Sequence, residues 1–232
     1  MILYGASPVR LRELGVSWNA TLDRWRGPVP RSLGLAHMAA ETNGVTDPPT
    51  RDATQRTVGI MRLRVADVLR LGQTEAQAKD PALNLYLWCQ LANDYGRRLH
   101  AQYSTWWTSA NLDFWAAVRA TFVLGLASTE TLFTTVHQAG AAYRSTAGVQ
   151  QWIRTLGQGR RFGRFGPFEL RQLANHLDEV IVGMTALDGA NYVAAHFFAT
   201  VPAFKVNRGE DNRLSQGIRN LTTGETMSQF TP

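Results

Sequence analysis

The sequence predicts an all-α protein, and three observations carry that expectation. Apolar residues recur at helical spacing along most of the chain. No stretch alternates apolar and polar residues for long enough to read as a strand. Prolines, glycines and capping residues fall between the periodic segments, where helices start and stop.

Val9, Leu11, Leu14, Val16 and Trp18 mark a helix within residues 8–27, interrupted by Pro28 and Pro30. Ser32 is placed to cap a second helix through LGLAHMAAET, with Gly44 to terminate it. The following NGVTDPPTRDATQRT is too rich in Pro, Asp and Thr to be core. VGIMRLRVADVLRLG is apolar again and stops at Gly72. Asp80-Pro81 suits a helix start, with Asp as cap and Pro in the first turn. Leu83, Leu87, Leu91, Tyr95 and Leu99 carry that helix to about residue 103. Asn111 opens a helix through FWAAVRATFVLG, and Ser128 or Thr129 opens one through TLFTTVHQAGAAY. A helix near 147–156 precedes GQGRRFGRFGPF, a glycine-rich basic loop. A long helical stretch then covers 168–187, breaks near Asp188-Gly189 and resumes to about residue 200. From Lys205 the chain is polar and without periodicity. The expected division is an N-terminal helical segment (1–27), a central helical domain (28–145), a helical extension (146–204) and a polar tail (205–232).

Composition narrows the function classes. With 232 residues, 44% of them hydrophobic, the chain can bury a real core, which excludes wholesale disorder. It has no uncharged apolar run of about 18 residues, so no membrane-spanning helix is expected. No apolar core follows a basic patch near Met1, so no secretory signal is expected. Cys89 is the only cysteine, which excludes a disulfide framework or a thiolate zinc site within one chain. The formal charge is +6, and Lys79 and Lys205 are the only lysines among 24 basic residues. An arginine surface favours polyanions: nucleic acid, anionic lipid, cell-wall polymer or an acidic protein. Codon bias toward arginine produces the same composition.

The informative region is 32–72, followed by the helix that starts at Asp80-Pro81. Glu41 sits at the end of an apolar helix in SLGLAHMAAETNG. After the polar loop come Gly59-Ile60-Met61-Arg62, then Leu71-Gly72, Asp80-Pro81 and Asn84. In order and spacing this series resembles the soluble lytic transglycosylases of the lysozyme-like superfamily. Their pattern is Glu-Ser-Ser/Gly, a loop, Gly-Leu-Met-Gln, a helix ending in Leu-Gly, then Asp-Pro and Asn. The resemblance covers roughly residues 28–130, and it implies a lysozyme-like helical domain with a helical C-terminal extension.

The chemistry suits that pattern. Glycoside cleavage needs a carboxylic acid that stays protonated long enough to give its proton to the leaving oxygen. A glutamate leaving an apolar helix end is partly desolvated, and the C-terminal dipole also disfavours its anion, so a raised pKa is expected for Glu41. Most glycosidases add a second carboxylate. The resemblance implies instead a single Glu acting as acid and then base, while the sugar's 6-hydroxyl closes on the anomeric carbon to leave a 1,6-anhydro end. It makes Glu41 the catalytic residue, with Thr42 orienting it and Gly59, Met61, Arg62 and Phe122 at the substrate. Three positions depart from the family pattern. Arg62 replaces the glutamine, Thr42 replaces the serine, and Phe122 stands where a tyrosine hydroxyl is expected. Tyr143 is an alternative source of that hydroxyl, further along the chain than the family spacing.

Each candidate also has a plain reading. Glu41 alone could be a solvated carboxylate at a helix end. Asp47 and Asp52 could serve a two-carboxylate hydrolase, although loop aspartates beside prolines commonly form turns. His37 and Glu41 share a helix face, but no third ligand follows at helical spacing, so no metal is expected. His100, His137, His176 and His196 have no companions. Trp106, Trp107 and Trp115 are either sugar platforms or core. Arg160, Arg161 and Arg164 are either polyanion contacts or a solvated connection.

The leading expectation is therefore a peptidoglycan-cleaving lytic transglycosylase without a cofactor. It would ride in a bacteriophage particle, in the tail or among ejected proteins, and contact other virion proteins through residues 205–232. The alternative is a virion structural or adaptor protein on the same fold without activity. A third reading is a basic helical nucleic-acid-binding protein. A groove with Glu41 at its base fits the enzyme, and an Arg62–Glu41 salt bridge fits the inactive form.

Overall fold

The structure is a computed structural model that describes residues 8–48, 56–103 and 112–188. Helices make up 73% of these residues, with a single two-stranded sheet. The order is α1 (Pro8–Trp25), α2 (Arg31–Thr42), β1 (Thr57–Val58), β2 (Leu63–Arg64), α3 (Val65–Arg70), α4 (Pro81–Tyr103), α5 (Leu112–Leu124), α6 (Leu126–Gln138), α7 (Thr146–Arg154) and α8 (Pro167–Asp188). The all-α class expected from the sequence is what the structure has.

Helix α2 is buried along almost its whole length, from Ser32 to Ala39. It packs against both α1 and α8. Helix α5 in turn packs against α4, α6 and α8. Its apolar run places Phe114, Trp115, Ala117 and Val118 in the core. Thus α1 and α8, expected as a leading segment and an extension, pack on the same helix that carries Glu41. The described residues all belong to one compact unit spanning 1–199. Residues 189–204 and the 205–232 tail lie outside the described residues. No described helix is long and apolar enough to cross a membrane.

Several boundaries differ from the sequence expectation for local reasons. Pro30, extended at φ −62° and ψ 134°, is the N-cap of α2, and Ser32 is buried inside the first turn instead of capping it. Asn43 ends α2 in the left-handed conformation at φ 53°, one residue before Gly44. Asp80 does cap α4, its Oδ1 accepting from the Leu83 N–H at 2.7 Å. Ser145 caps α7 in the same way. Helix α6 begins at Leu126, directly after Gly125, ahead of the expected Ser128 or Thr129. The β1–β2 hairpin pairs Thr57 with Arg64 and Val58 with Leu63. Strands of two residues are too short for an alternation signal to exist.

Candidate functional site

Glu41 lies in the last turn of α2, and the hairpin is fastened against that turn by three hydrogen bonds. The Thr42 hydroxyl donates to the Ile60 carbonyl at 2.7 Å and accepts from the Gly44 N–H at 3.2 Å. The His37 Nε2–H donates to the Met61 carbonyl at 3.0 Å. The Arg62 Nε–H donates to the backbone carbonyl of Glu41 at 2.9 Å. From α4, the fully buried Asn84 clamps the turn between the strands. Its Oδ1 accepts from the Met61 N–H at 2.8 Å, and its Nδ2 donates to the carbonyls of Val58 at 3.1 Å and Ala78 at 2.9 Å. Gly59 passes close beneath this amide at φ +74°, a position with no room for a Cβ.

The Glu41 carboxylate itself is paired with Arg119 of α5, whose Nη2 donates to Oε1. Arg119 is 1% exposed and the Glu41 side chain 18%. The Arg119 Nε has no hydrogen-bond partner, and neither has the His37 Nδ1. Beside the pair lies a set of aromatic rings. Phe122 stacks on Trp88 at 5.7 Å and meets the edges of His37 at 4.9 Å and Tyr95 at 5.1 Å.

Glu41 opens into a groove of about 230 Å³. Arg62 and Arg64 come from the hairpin side, Phe122 from α5, and Glu169, Gln172 and His176 from α8. Arg64 is tied to Asp67 at 2.7 Å. Polar groups at the edges of an aromatic-walled groove suit a ligand with apolar faces and hydroxyl edges, such as a sugar ring.

The electrostatics run opposite to the expectation from the sequence. Burial by itself raises the Glu41 pKa, but the adjacent Arg119 guanidinium, with help from His37, outweighs it and brings it down to about 2. Burial, reinforced by Arg119, holds His37 down to about 3. The cluster at neutral pH is therefore a carboxylate anion, a guanidinium cation and a neutral imidazole. The expectation of a raised Glu41 pKa counted the apolar helix end and omitted a cation that arrives from α5.

Of the residues expected at a substrate, the groove is lined by Glu41, Arg62 and Phe122. Thr42, Gly59 and Met61 stand behind it. Met61 is fully buried, and Thr42 and Gly59 hold the hairpin to α2 and α4. The Arg62–Glu41 salt bridge that would mark an inactive site is absent in the form foreseen, because Arg62 reaches the backbone carbonyl and Arg119 takes the carboxylate. Asp47 is exposed beside Lys79 and does not line the groove. Asp52, Trp106, Trp107 and His196 lie outside the described residues. Trp115 is core. Tyr143 sits in a 3-10 turn away from the groove lining. Among the described residues no group of His, Cys, Asp and Glu is arranged to hold a metal.

Sequence reasoning missed Arg119 and the α8 wall. A signal for Arg119 was present: a lone arginine inside FWAAVRATFVL requires a buried anion. Its partner lies 78 residues away, which no local pattern reports. Comparison with protein-family models, curated proteins and solved structures finds no match for this chain.

Proposed function

We propose that the protein is a peptidoglycan-cleaving lytic transglycosylase on a lysozyme-like helical domain, with Glu41 as its single acid/base. Its place is a bacteriophage particle, where it opens the cell wall during infection. One observation supports this reading above the others. Residues picked out by the family pattern, spread from Glu41 to Asn84, converge on one hydrogen-bonded junction between a helix end and a hairpin turn, and Glu41 opens from it into a groove. The glycan strand would lie along Phe122, with Arg62 and His176 at its polar edges. The virion setting rests on the family resemblance alone.

Proton donation requires a neutral Glu41. With Arg119 in place the Glu41 carboxyl is held well below the ordinary glutamate range and is an anion at pH 7. Activity in this reading depends on the glycan displacing Arg119 from the carboxylate as water leaves the groove. The same pair favours a second reading, an inactive structural or adaptor protein on this fold, in which Glu41 and Arg119 are a permanent buried ion pair.

Mass spectrometry of the products from purified peptidoglycan separates the two. The expected result is 1,6-anhydro-muropeptides from the wild type and none from Glu41→Gln. Reducing-end products would replace the transglycosylase with a hydrolase. An absence of products from folded wild-type protein would leave the structural reading.

A further inference from the structure

The loop between α7 and α8 gives only Phe165 to the Glu41 groove, and the rest of it is built with some rigidity. Phe162 and Phe165 exchange backbone hydrogen bonds at 3.0 and 3.1 Å, and both rings are buried, Phe162 against Trp152 at 5.8 Å. This anchoring turns the basic residues outward. The Arg160 guanidinium lies over the Trp152 ring at 5.8 Å, Arg164 lies over Phe165 at 5.0 Å, and Arg161 reaches the Arg164 carbonyl. All three are exposed, as is Arg171 in the first turns of α8. Among the described residues none of these four guanidiniums is paired with a carboxylate, whereas Arg154 just before the loop is paired with Asp178. At the two feet of the loop, Leu156 is 53% and Phe168 63% exposed.

Cations without carboxylate partners on the loop and α8, with bare apolar side chains at the two feet of the loop, demand a particular partner. A hydrated polyanion would satisfy the arginines and leave Leu156 and Phe168 in water. Single-stranded nucleic acid would stack on exposed rings, and Phe168 is one, but Phe162 and Phe165 are buried and Leu156 offers no face to stack on. A lipid headgroup layer takes both groups, phosphates at the guanidiniums and apolar side chains at the acyl boundary. We propose that the α7–α8 loop is a docking surface for an anionic lipid bilayer, with Arg160, Arg161, Arg164 and Arg171 on the headgroup phosphates and Leu156 and Phe168 inserted as anchors. Phe165 of the same loop and Glu169 of α8 line the groove, so docking would hold the groove mouth close to the membrane. This inference is independent of Glu41 and of any cleavage.

The test is co-sedimentation of the full chain with vesicles of phosphatidylcholine, with and without about 30% phosphatidylglycerol. Binding is expected only to the anionic vesicles and is weakened by raising NaCl from about 0.1 to about 0.5 M. The triple variant R160S/R161S/R164S should lower the partition coefficient about a hundredfold at low salt. Phe168→Ser should lower it roughly tenfold through the lost anchor. Arg12→Ser, which lies by Leu187 at the far end of α8, should leave it unchanged. A failure to bind anionic vesicles, or equal loss in Arg12→Ser and the triple variant, overturns the proposal. So does a triple-variant loss with Phe168→Ser neutral and equally tight binding to single-stranded DNA, which would make the loop a general polyanion site.

Discussion

Arg119 and Glu41 meet between α5 and α2 with very different access to water, the guanidinium sealed at 1% exposure and the carboxylate open to a groove. The asymmetry sets what each can do. Glu41 can meet a ligand, while Arg119 acts on that ligand only through Glu41. Removing either partner leaves an uncompensated charge, and the cost is greater for the one that cannot reach solvent.

Glu41→Met is therefore expected to destabilise the fold by about 3–5 kcal/mol at pH 7, through the guanidinium it strands, and Arg119→Met by less, because the carboxylate it leaves faces the groove. The double variant R119M/E41M should recover most of that loss, because both charges are gone. Urea denaturation of the two singles and the double gives the coupling energy, and strictly additive losses would show that the pair is energetically idle. In Arg119→Met the Glu41 carboxyl should titrate higher than in the wild type, since the largest opposition to burial is gone.

Stability should fall with acid in two overlapping windows. His37 is held neutral in the folded state and takes its proton on unfolding, so its contribution is complete above pH 6.5 and is lost as pH falls from there toward 3. That loss amounts to about 2 kcal/mol by pH 5. Glu41, with its folded pKa below the ordinary value, contributes stability present above about 4.5 and lost as pH falls toward 2. Denaturation midpoints measured from pH 8 to 3 should show both arms in the wild type. His37→Gln should flatten only the upper one, and a drop between pH 6.5 and 5 that persists in this variant would assign it elsewhere.

Two glycines with nearly the same φ should respond differently to alanine. Gly59 (φ +74°) would drive a Cβ into the Asn84 amide and to within 2.7 Å of the Ala78 carbonyl oxygen. Gly72 (φ +77°) has nothing within 4 Å. Gly72→Ala should cost roughly 1 kcal/mol of left-handed strain alone. Gly59→Ala should cost about 3 kcal/mol or more, because strain and overlap add. Equal thermal shifts for the two would mean the hairpin turn yields freely.

Asn84→Ala should cost about 3 kcal/mol by leaving the Met61 N–H and the Val58 and Ala78 carbonyls without partners in a buried turn. Asn84→Asp keeps the acceptor and loses both donors, so it should also be destabilised. Limited proteolysis between residues 56 and 64 reads the loosened hairpin directly. Unchanged protection in Asn84→Ala would remove Asn84 from the positioning of the site.

Much of the local structure was legible before any coordinates. The Asp80-Pro81 start of α4 came from capping chemistry, and the α8 span followed from an unbroken helical period ending near Asp188. Pro30 and Ser32 were harder, because a serine near a helix start reads as a cap unless the fold buries it. The hairpin left no signal, since two paired residues per strand present no alternation. Glu41 and its junction with Gly59, Met61 and Asn84 were visible as a motif, but not the split between residues that face the groove and those that hold it from behind.

What the sequence determined by itself was which residues form helices and where those helices stop, because periodicity, capping and proline act within a few residues. What only the tertiary structure decided was the state of Glu41. Its ionisation depends on a guanidinium delivered by α5 and on a wall supplied by α8, and charge acts through space between groups far apart along the chain. A helix-end glutamate read alone is a proton donor in waiting, and the same residue beside Arg119 is an anion.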